Sequence, residues 1–132
     1  MTFVLDASIV LAHVLPDEAT PVAERLLSAV VREEAVVPTL WIYEVASGLQ
    51  NAARRRRLTH ADAALALATI SALPLRAERP DPAHLMNLAH ELSLSVYDSS
   101  YLALCLAEGV PLATLDARLA DAARGVGISV LS

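Results

Sequence analysis

A mostly parallel α/β fold, with about five short strands and helices on both faces of the sheet, is predicted by three observations. Short apolar runs alternate with stretches of helical periodicity along the whole chain. The runs are continuous rather than alternating, as in strands buried on both faces. Two of them end directly before an aspartate, where an open α/β sheet presents its ligand edge. Phe3-Val4-Leu5 is the first strand, and the helix opening at Ala7 is broken by Pro16-Asp17-Glu18. Val22, Leu26, Leu27 and Val30 recur at helical spacing in a second helix, expected to end near Glu34. Ala35-Val36-Val37-Pro38 is a second strand. Thr39 reads as the cap of a long helix from Leu40 to about Arg57, and Thr59-x-x-Asp62 as a capping-box-like start for its antiparallel partner, lasting to about Ala72. Leu73 to Ala77 carries a weaker strand signal. Asp81-Pro82 sets a good N-cap before a proline at the first position of a helix reaching about Leu92. A further helix from about Asp98 to Glu108 stops at Gly109. Val110 to Thr114 is a strand, Asp116 to Arg124 a helix, and Ile128 to Leu131 the last strand.

Residues 1–132 read as one domain, with no linker, repeat or low-complexity segment. A chain of 132 residues can bury about two-thirds of its unfolded surface and needs no staple to fold. With 55% hydrophobic residues in so small a body, some apolar surface is expected to close against a second copy or a partner. The single cysteine, Cys105, lies between Leu104 and Leu106 and reads as a buried small hydrophobe, not a nucleophile. The N-terminus has no positively charged leader pattern. The longest uncharged run, Ala63 to Leu75, is shorter than the roughly 20 residues that span a bilayer, so a cytoplasmic location is expected.

All ten basic residues are arginine, which removes every mechanism that depends on a lysine, aspartyl-phosphate chemistry with its phosphate-holding lysine included. There is no G-x-S-x-G elbow, P-loop or G-x-G-x-x-G. His13, His60, His84 and His90 have no zinc-binding spacing with one another or with Cys105.

Four acids stand out instead. Asp6 and Asp116 each follow an apolar strand, so a parallel sheet would bring both to one edge, although each also reads as the N-cap of the helix behind it. Glu44 lies in Leu40-Trp41-Ile42-Tyr43-Glu44-Val45-Ala46, where an unpaired carboxylate is costly unless it meets a cation or stays partly exposed. Asp98 opens a helix and also reads as the N3 member of a Ser95-x-x-Asp98 capping box. Gathered together, these acids would repel one another, and a divalent cation would relieve the repulsion. Oxygen-only ligands point to Mg2+ or Mn2+.

At these residues the sequence resembles the PIN-domain nucleases, and within them the VapC-type toxins of bacterial toxin–antitoxin modules. The likeness covers essentially the whole chain. It is carried by Val4-Leu5-Asp6-Ala7-Ser8, by Glu44 in Trp41-Ile42-Tyr43-Glu44-Val45, by Tyr97-Asp98-Ser99-Ser100-Tyr101-Leu102-Ala103-Leu104, and by Leu112-Ala113-Thr114-Leu115-Asp116-Ala117-Arg118-Leu119. The resemblance implies a magnesium-dependent endoribonuclease silenced by a cognate antitoxin. Asp6, Glu44, Asp98 and Asp116 match the family's acidic quartet, its metal ligands and catalytic groups, while Ser8 and Thr114 match hydroxyls that shape its site. The alternative from another class is a PIN-fold module that binds RNA or protein without cleavage or toxin activity, and a housekeeping PIN nuclease is a third reading.

Two expectations go beyond the quartet. The apolar excess and the Trp41-Ile42-Tyr43 segment suggest a homodimer that also contacts an antitoxin, while the same side chains read equally as core. Arg54-Arg55-Arg56-Arg57 is the one dense positive cluster in a chain of net charge −5. It reads as an RNA phosphate contact or as a solvated helix C-terminus, with at most two of the four facing one substrate.

Overall fold

The computed structural model describes residues 1–131. Five strands, β1 (Thr2–Leu5), β2 (Glu34–Pro38), β3 (Leu75–Glu78), β4 (Leu112–Ala113) and β5 (Val130–Leu131), form one sheet in the order β3-β2-β1-β4-β5, and every pairing is parallel. Seven helices connect or follow them: α1 (Ala7–Val14), α2 (Pro21–Ala29), α3 (Trp41–Arg54), α4 (His60–Ser71), α5 (Pro82–Leu92), α6 (Val96–Glu108) and α7 (Ala117–Gly125).

Successive strand residues point to opposite faces, so Phe3-Val4-Leu5 and Ala35-Val36-Val37, buried at every position, require cover on both sides of the sheet. α6 supplies part of it, lying against β1, β2 and β4 with α5 packed behind it. α1 packs on α2 and α3, and α3 on α4. The α1–α3 approach is close because Gly48 has no side chain, and a Cβ there would stand 2.6 Å from Leu11 Cδ1. Cys105 is buried in this core, where burial pushes its thiol up to about 12.

Strand order fixes where a site can form. From β1 the chain moves outward through β2 to β3, then returns to the other flank of β1 for β4 and β5. The order therefore reverses between β1 and β4, and the crevice beyond their carboxyl ends is the switch point at which open α/β sheets bind ligands. Register puts the residues there on one level. Leu5 pairs with Ala113, and the Asp6 amide donates to the Ala113 carbonyl at 2.9 Å, so Asp6 and Thr114 both leave the sheet at the same height.

Several boundaries differ from the sequence reading. α2 ends at Ala29, because Arg32 and Glu33 turn back to the Ala29 carbonyl so that β2 can start at Glu34. Thr39 caps nothing: its amide donates to the Glu78 carbonyl and extends the β2–β3 ladder, leaving Leu40 at the N-cap of α3 without a side-chain bond. α3 stops at Arg54, and Arg56 takes a left-handed φ of 59° as the chain turns. α6 begins two residues before Asp98, at Val96, with Ser95 as its cap. Asp81 stands at the N-cap of α5 but makes no side-chain bond there. Strands β4 and β5 are two residues each, shorter than the apolar runs around them. Among the described residues, no helix is long and apolar enough to cross a membrane.

Candidate active site

Each acid reaches the switch point by its own local rule. Asp6 is the residue after β1 and occupies the N-cap position of α1, yet its side chain makes no cap bond. Its Oδ2 instead accepts from the Ser8 hydroxyl at 2.6 Å and the Thr114 hydroxyl at 2.7 Å. Those hydroxyls are held in turn: Ser8 Oγ accepts from the Leu115 amide and Thr114 Oγ1 from the Asp116 amide, both at 3.0 Å. Asp116 is a true N-cap, its Oδ1 accepting from the amides of Arg118 at 2.9 Å and Leu119 at 3.3 Å. Glu44 stands in the first turn of α3, where Tyr101 Oη donates to its Oε1 at 2.8 Å. Asp98 stands in the first turn of α6, with its amide donating to Ser95 Oγ at 3.0 Å.

The four carboxylates share one field, graded in depth. Asp6 is buried, Glu44 and Asp98 are half-buried, and Asp116 is exposed. Burial pushes the Asp6 carboxyl above its ordinary value, against the hydrogen bonds from Ser8 and Thr114, and the charge of Asp116 adds to the rise. Burial likewise raises Glu44, opposed by the Tyr101 bond and reinforced by the charges of Asp6 and Asp98. Asp98 is raised by burial and by Asp116, and lowered by Arg118 and Ser95. The influences link the quartet into a ring, Asp6 to Asp116, Asp116 to Asp98, Asp98 to Glu44 and Glu44 to Asp6. None of the four belongs to an ion pair among the described residues.

The donor chemistry is therefore that of a hard divalent cation: carboxylate oxygens, hydroxyls behind them, and negative charge that no ion pair among the described residues neutralises. Proximity is looser than a finished cage. Among the described residues, no three Asp, Glu, His or Cys side chains stand close enough together to hold an ion as they are. All four histidines are exposed, and His13 is engaged with Glu24 at 2.8 Å.

For Trp41 the core reading holds, and the expectation for the arginine cluster is corrected. Trp41 is core, 2% exposed, whereas its neighbour Tyr43 is 76% exposed. The arginine cluster does not ride one helix: Arg54 closes α3, Arg55 caps it, and Arg57 is drawn back to Asp17 at 2.7 Å and Glu18 at 3.1 Å. Arg54, Arg55 and Arg56 are exposed.

Two residues at the site were not singled out from the sequence. Tyr101 is three positions after Asp98, the spacing that puts both on one side of α6, and that spacing was the available signal. Arg118, two positions after Asp116, was visible only as part of a motif.

Residues 3–125 match the PIN domain family. The VapC ribonuclease Mb0985 of Mycobacterium bovis is 40% identical to the chain over 120 residues, covering 89% of this chain and 88% of that one. The fold matches the crystal structure of PAE2754 from Pyrobaculum aerophilum, with a TM-score of 0.75 at 23% identity over 98% of this chain and 83% of that one. It also matches VapBC2 from Rickettsia felis, solved bound to a DNA fragment from its promoter, with a TM-score of 0.68 at 12% identity over 98% and 97% of the two chains. With the family matched over residues 3–125 and a relative 40% identical over 89% of its length, the chain belongs to the PIN domain family, among the VapC ribonucleases.

Proposed function

We propose that this protein is a magnesium-dependent endoribonuclease, the toxin of a bacterial toxin–antitoxin pair, and that Asp6, Glu44, Asp98 and Asp116 are its catalytic and metal-holding groups, with Mn2+ able to replace Mg2+. The observation that carries this reading is the ring of four mutually repelling carboxylates, without an ion-pair partner, at the switch point of the sheet. The bound cation would orient a water, raise its nucleophilicity and offset charge on the phosphodiester during in-line attack. The protein's part is to fix the ligands. Ser8 and Thr114 orient Asp6, Tyr101 orients Glu44, and the α7 amides hold Asp116 by its Oδ1. Glu44 or Asp98, each with a carboxyl raised above its ordinary value, is suited to accept the proton of the attacking water.

The test is cleavage of single-stranded RNA by the purified protein with Mg2+, with chelator, and with Asp6→Asn. Cleavage that needs the metal and is lost in the variant supports the reading. RNA binding without cleavage in the wild type favours a non-catalytic binding module.

A cognate antitoxin belongs to the same reading, as the match to the VapBC2 structure suggests. Four carboxylates attract a guanidinium as they attract a metal ion, so the partner would silence the site with a basic side chain. A homodimer is also part of the proposal. A second copy would cover exposed apolar surface such as Tyr43, and sedimentation that gives a stable monomer at micromolar concentration rules the dimer out.

A further inference from the structure

Ten arginines compensate part of the acidic charge of this chain, and three of them are occupied by carboxylates. Arg57 is held by Asp17 and Glu18, Arg76 by Glu34, Glu78 and Glu108, and Arg124 by Asp121. Arg118 differs from all of these. It is the second residue of α7, and its backbone amide is bound to Asp116. Its guanidinium extends toward the turn between α5 and α6, where Nη2 reaches the Ser93 carbonyl at 3.4 Å. Ser95 of the same turn caps the helix that bears Asp98. The side chain thus crosses between the anchor of Asp116 and the anchor of Asp98. Among the described residues no carboxylate stands within ion-pair distance of it, and its one hydrogen bond lies at the outer limit of length. A guanidinium carries five N–H donors, so nearly all of its capacity faces solvent at the edge of the site.

We propose that Arg118 is a substrate-binding residue of this site, gripping a phosphate of the single-stranded RNA as the strand passes Asp98 and Asp116. The inference rests on the ribonuclease reading above. Its physical basis is a conflict of charge: a chain of net charge −5, with four acids gathered at one edge, must draw a polyanion to that edge. A planar guanidinium binds phosphate through two parallel N–H···O bonds, which supplies both attraction and orientation. Arg118 is also the cation whose charge lowers the Asp98 carboxyl. A bond to Ser93 at 3.4 Å from an exposed side chain is too weak to be its reason for being there.

The test uses the full chain with Arg118→Gln and Arg118→Lys, assayed on a fluorogenic single-stranded RNA with Mg2+. R118Q should raise KM about tenfold with kcat little changed, since it removes binding of the strand rather than metal chemistry. RNA affinity, read by fluorescence anisotropy in an Asp6→Asn background across a salt series, should fall, and the slope of log affinity against log salt should flatten by about 0.7, the value for one lost phosphate contact on a single strand. R118K should recover most of the slope and part of the affinity. Mg2+ affinity by calorimetry and the melting temperature should match wild type. An unchanged KM and salt slope in R118Q, with cleavage intact, overturns the inference and leaves the ribonuclease reading standing. A fall in Mg2+ affinity and kcat at an unchanged slope overturns it in favour of a role in holding Asp98. A wild-type protein that neither binds nor cuts RNA overturns both. Should R118Q melt early, Arg118→Ala is read in its place by the same criteria: a slope flattened by about 0.7 supports the phosphate contact, and a wild-type slope with cleavage intact overturns it.

Discussion

The hydroxyl of Thr114, just beyond β4, donates to Oδ2 of Asp6, just beyond β1, over 2.7 Å and across 108 positions of sequence. The bond ties the two strand ends that flank the switch point and fixes the orientation of the deepest acid. Thr114→Val keeps the volume and leaves Oδ2 with Ser8 alone, while the Asp116 amide loses its acceptor. Stability should fall by about 1–2 kcal/mol in urea denaturation, with weaker Mg2+ binding by calorimetry. Because Ser8 serves the same oxygen, Ser8→Ala and Thr114→Val should not add independently.

Asp6→Asn should separate activity from stability. Burial holds the Asp6 carboxyl above its ordinary 3.8 in the folded state, so the folded protein binds that proton more tightly than the unfolded chain does. The associated stability is complete below pH 3.8 and is lost as pH rises through the raised value. Asparagine does not titrate, so in chelator the stability of D6N relative to wild type should improve from pH 4 toward neutrality, read by melting temperature. Cleavage should drop on the order of a hundredfold or more. A stability difference independent of pH would mean that Asp6 is not desolvated as described.

Tyr101→Phe should shift the pH profile. The phenol donates to Glu44 and favours its ionised form, opposing the rise caused first by burial and then by Asp6 and Asp98. Removing the donor raises the Glu44 carboxyl further, so the acid limb of kcat/KM should move to higher pH. An unmoved limb would show that ionisation of Glu44 does not govern activity.

Asp116 caps α7 and, in the proposed reading, also holds the metal, and substitution can divide the two. Its Oδ1 caps α7, and asparagine caps nearly as well as aspartate. D116N should therefore keep its melting temperature while losing cleavage, and D116A should lose cleavage together with about 1 kcal/mol of stability. Cleavage by D116N at the wild-type rate would leave Asp116 as a cap only.

The fold was largely legible because its signals are local. Continuous apolar runs gave the buried strands, and Ser95, Thr59 and Gly109 mark helix ends by chemistry that acts within a few residues. The acids of the candidate site were legible from local signals too, Asp6 and Asp116 following a strand, Asp98 opening a helix, and Glu44 standing out in an apolar stretch. What stayed hidden depends on long-range geometry. Thr39 looks like a cap until β3 arrives beside β2 and takes its amide, and Tyr101 looks like a core aromatic until α3 brings Glu44 to its hydroxyl. Arg57 looks free until the segment after α1 presents Asp17 and Glu18, forty positions away for the first of them. The absence of a ready three-ligand cluster was equally invisible, since sequence spacing fixes neighbours to within a helical turn but not side chains to within a metal radius.

The arginine cluster yields the last prediction, changed by where the chain turns. Arg54 is ten positions after Glu44 on α3, about 15 Å along the axis, close enough for the neighbouring phosphates of a bound strand. Arg57 is neutralised by two carboxylates, so an RNA phosphate would have to displace both. If the cluster binds RNA, the double change Arg54→Gln with Arg55→Gln should weaken binding for every sequence and flatten the salt slope by up to about 1.4, at 0.7 for each phosphate contact. Mg2+ affinity should not change. Arg57→Gln should leave the slope as it is and free Asp17 and Glu18, which hydrogen exchange around residues 15–20 would register. An unaltered slope in the double variant assigns these arginines to solvent and leaves α3 with only its exposed C-terminal charge, where cations favour the helix dipole.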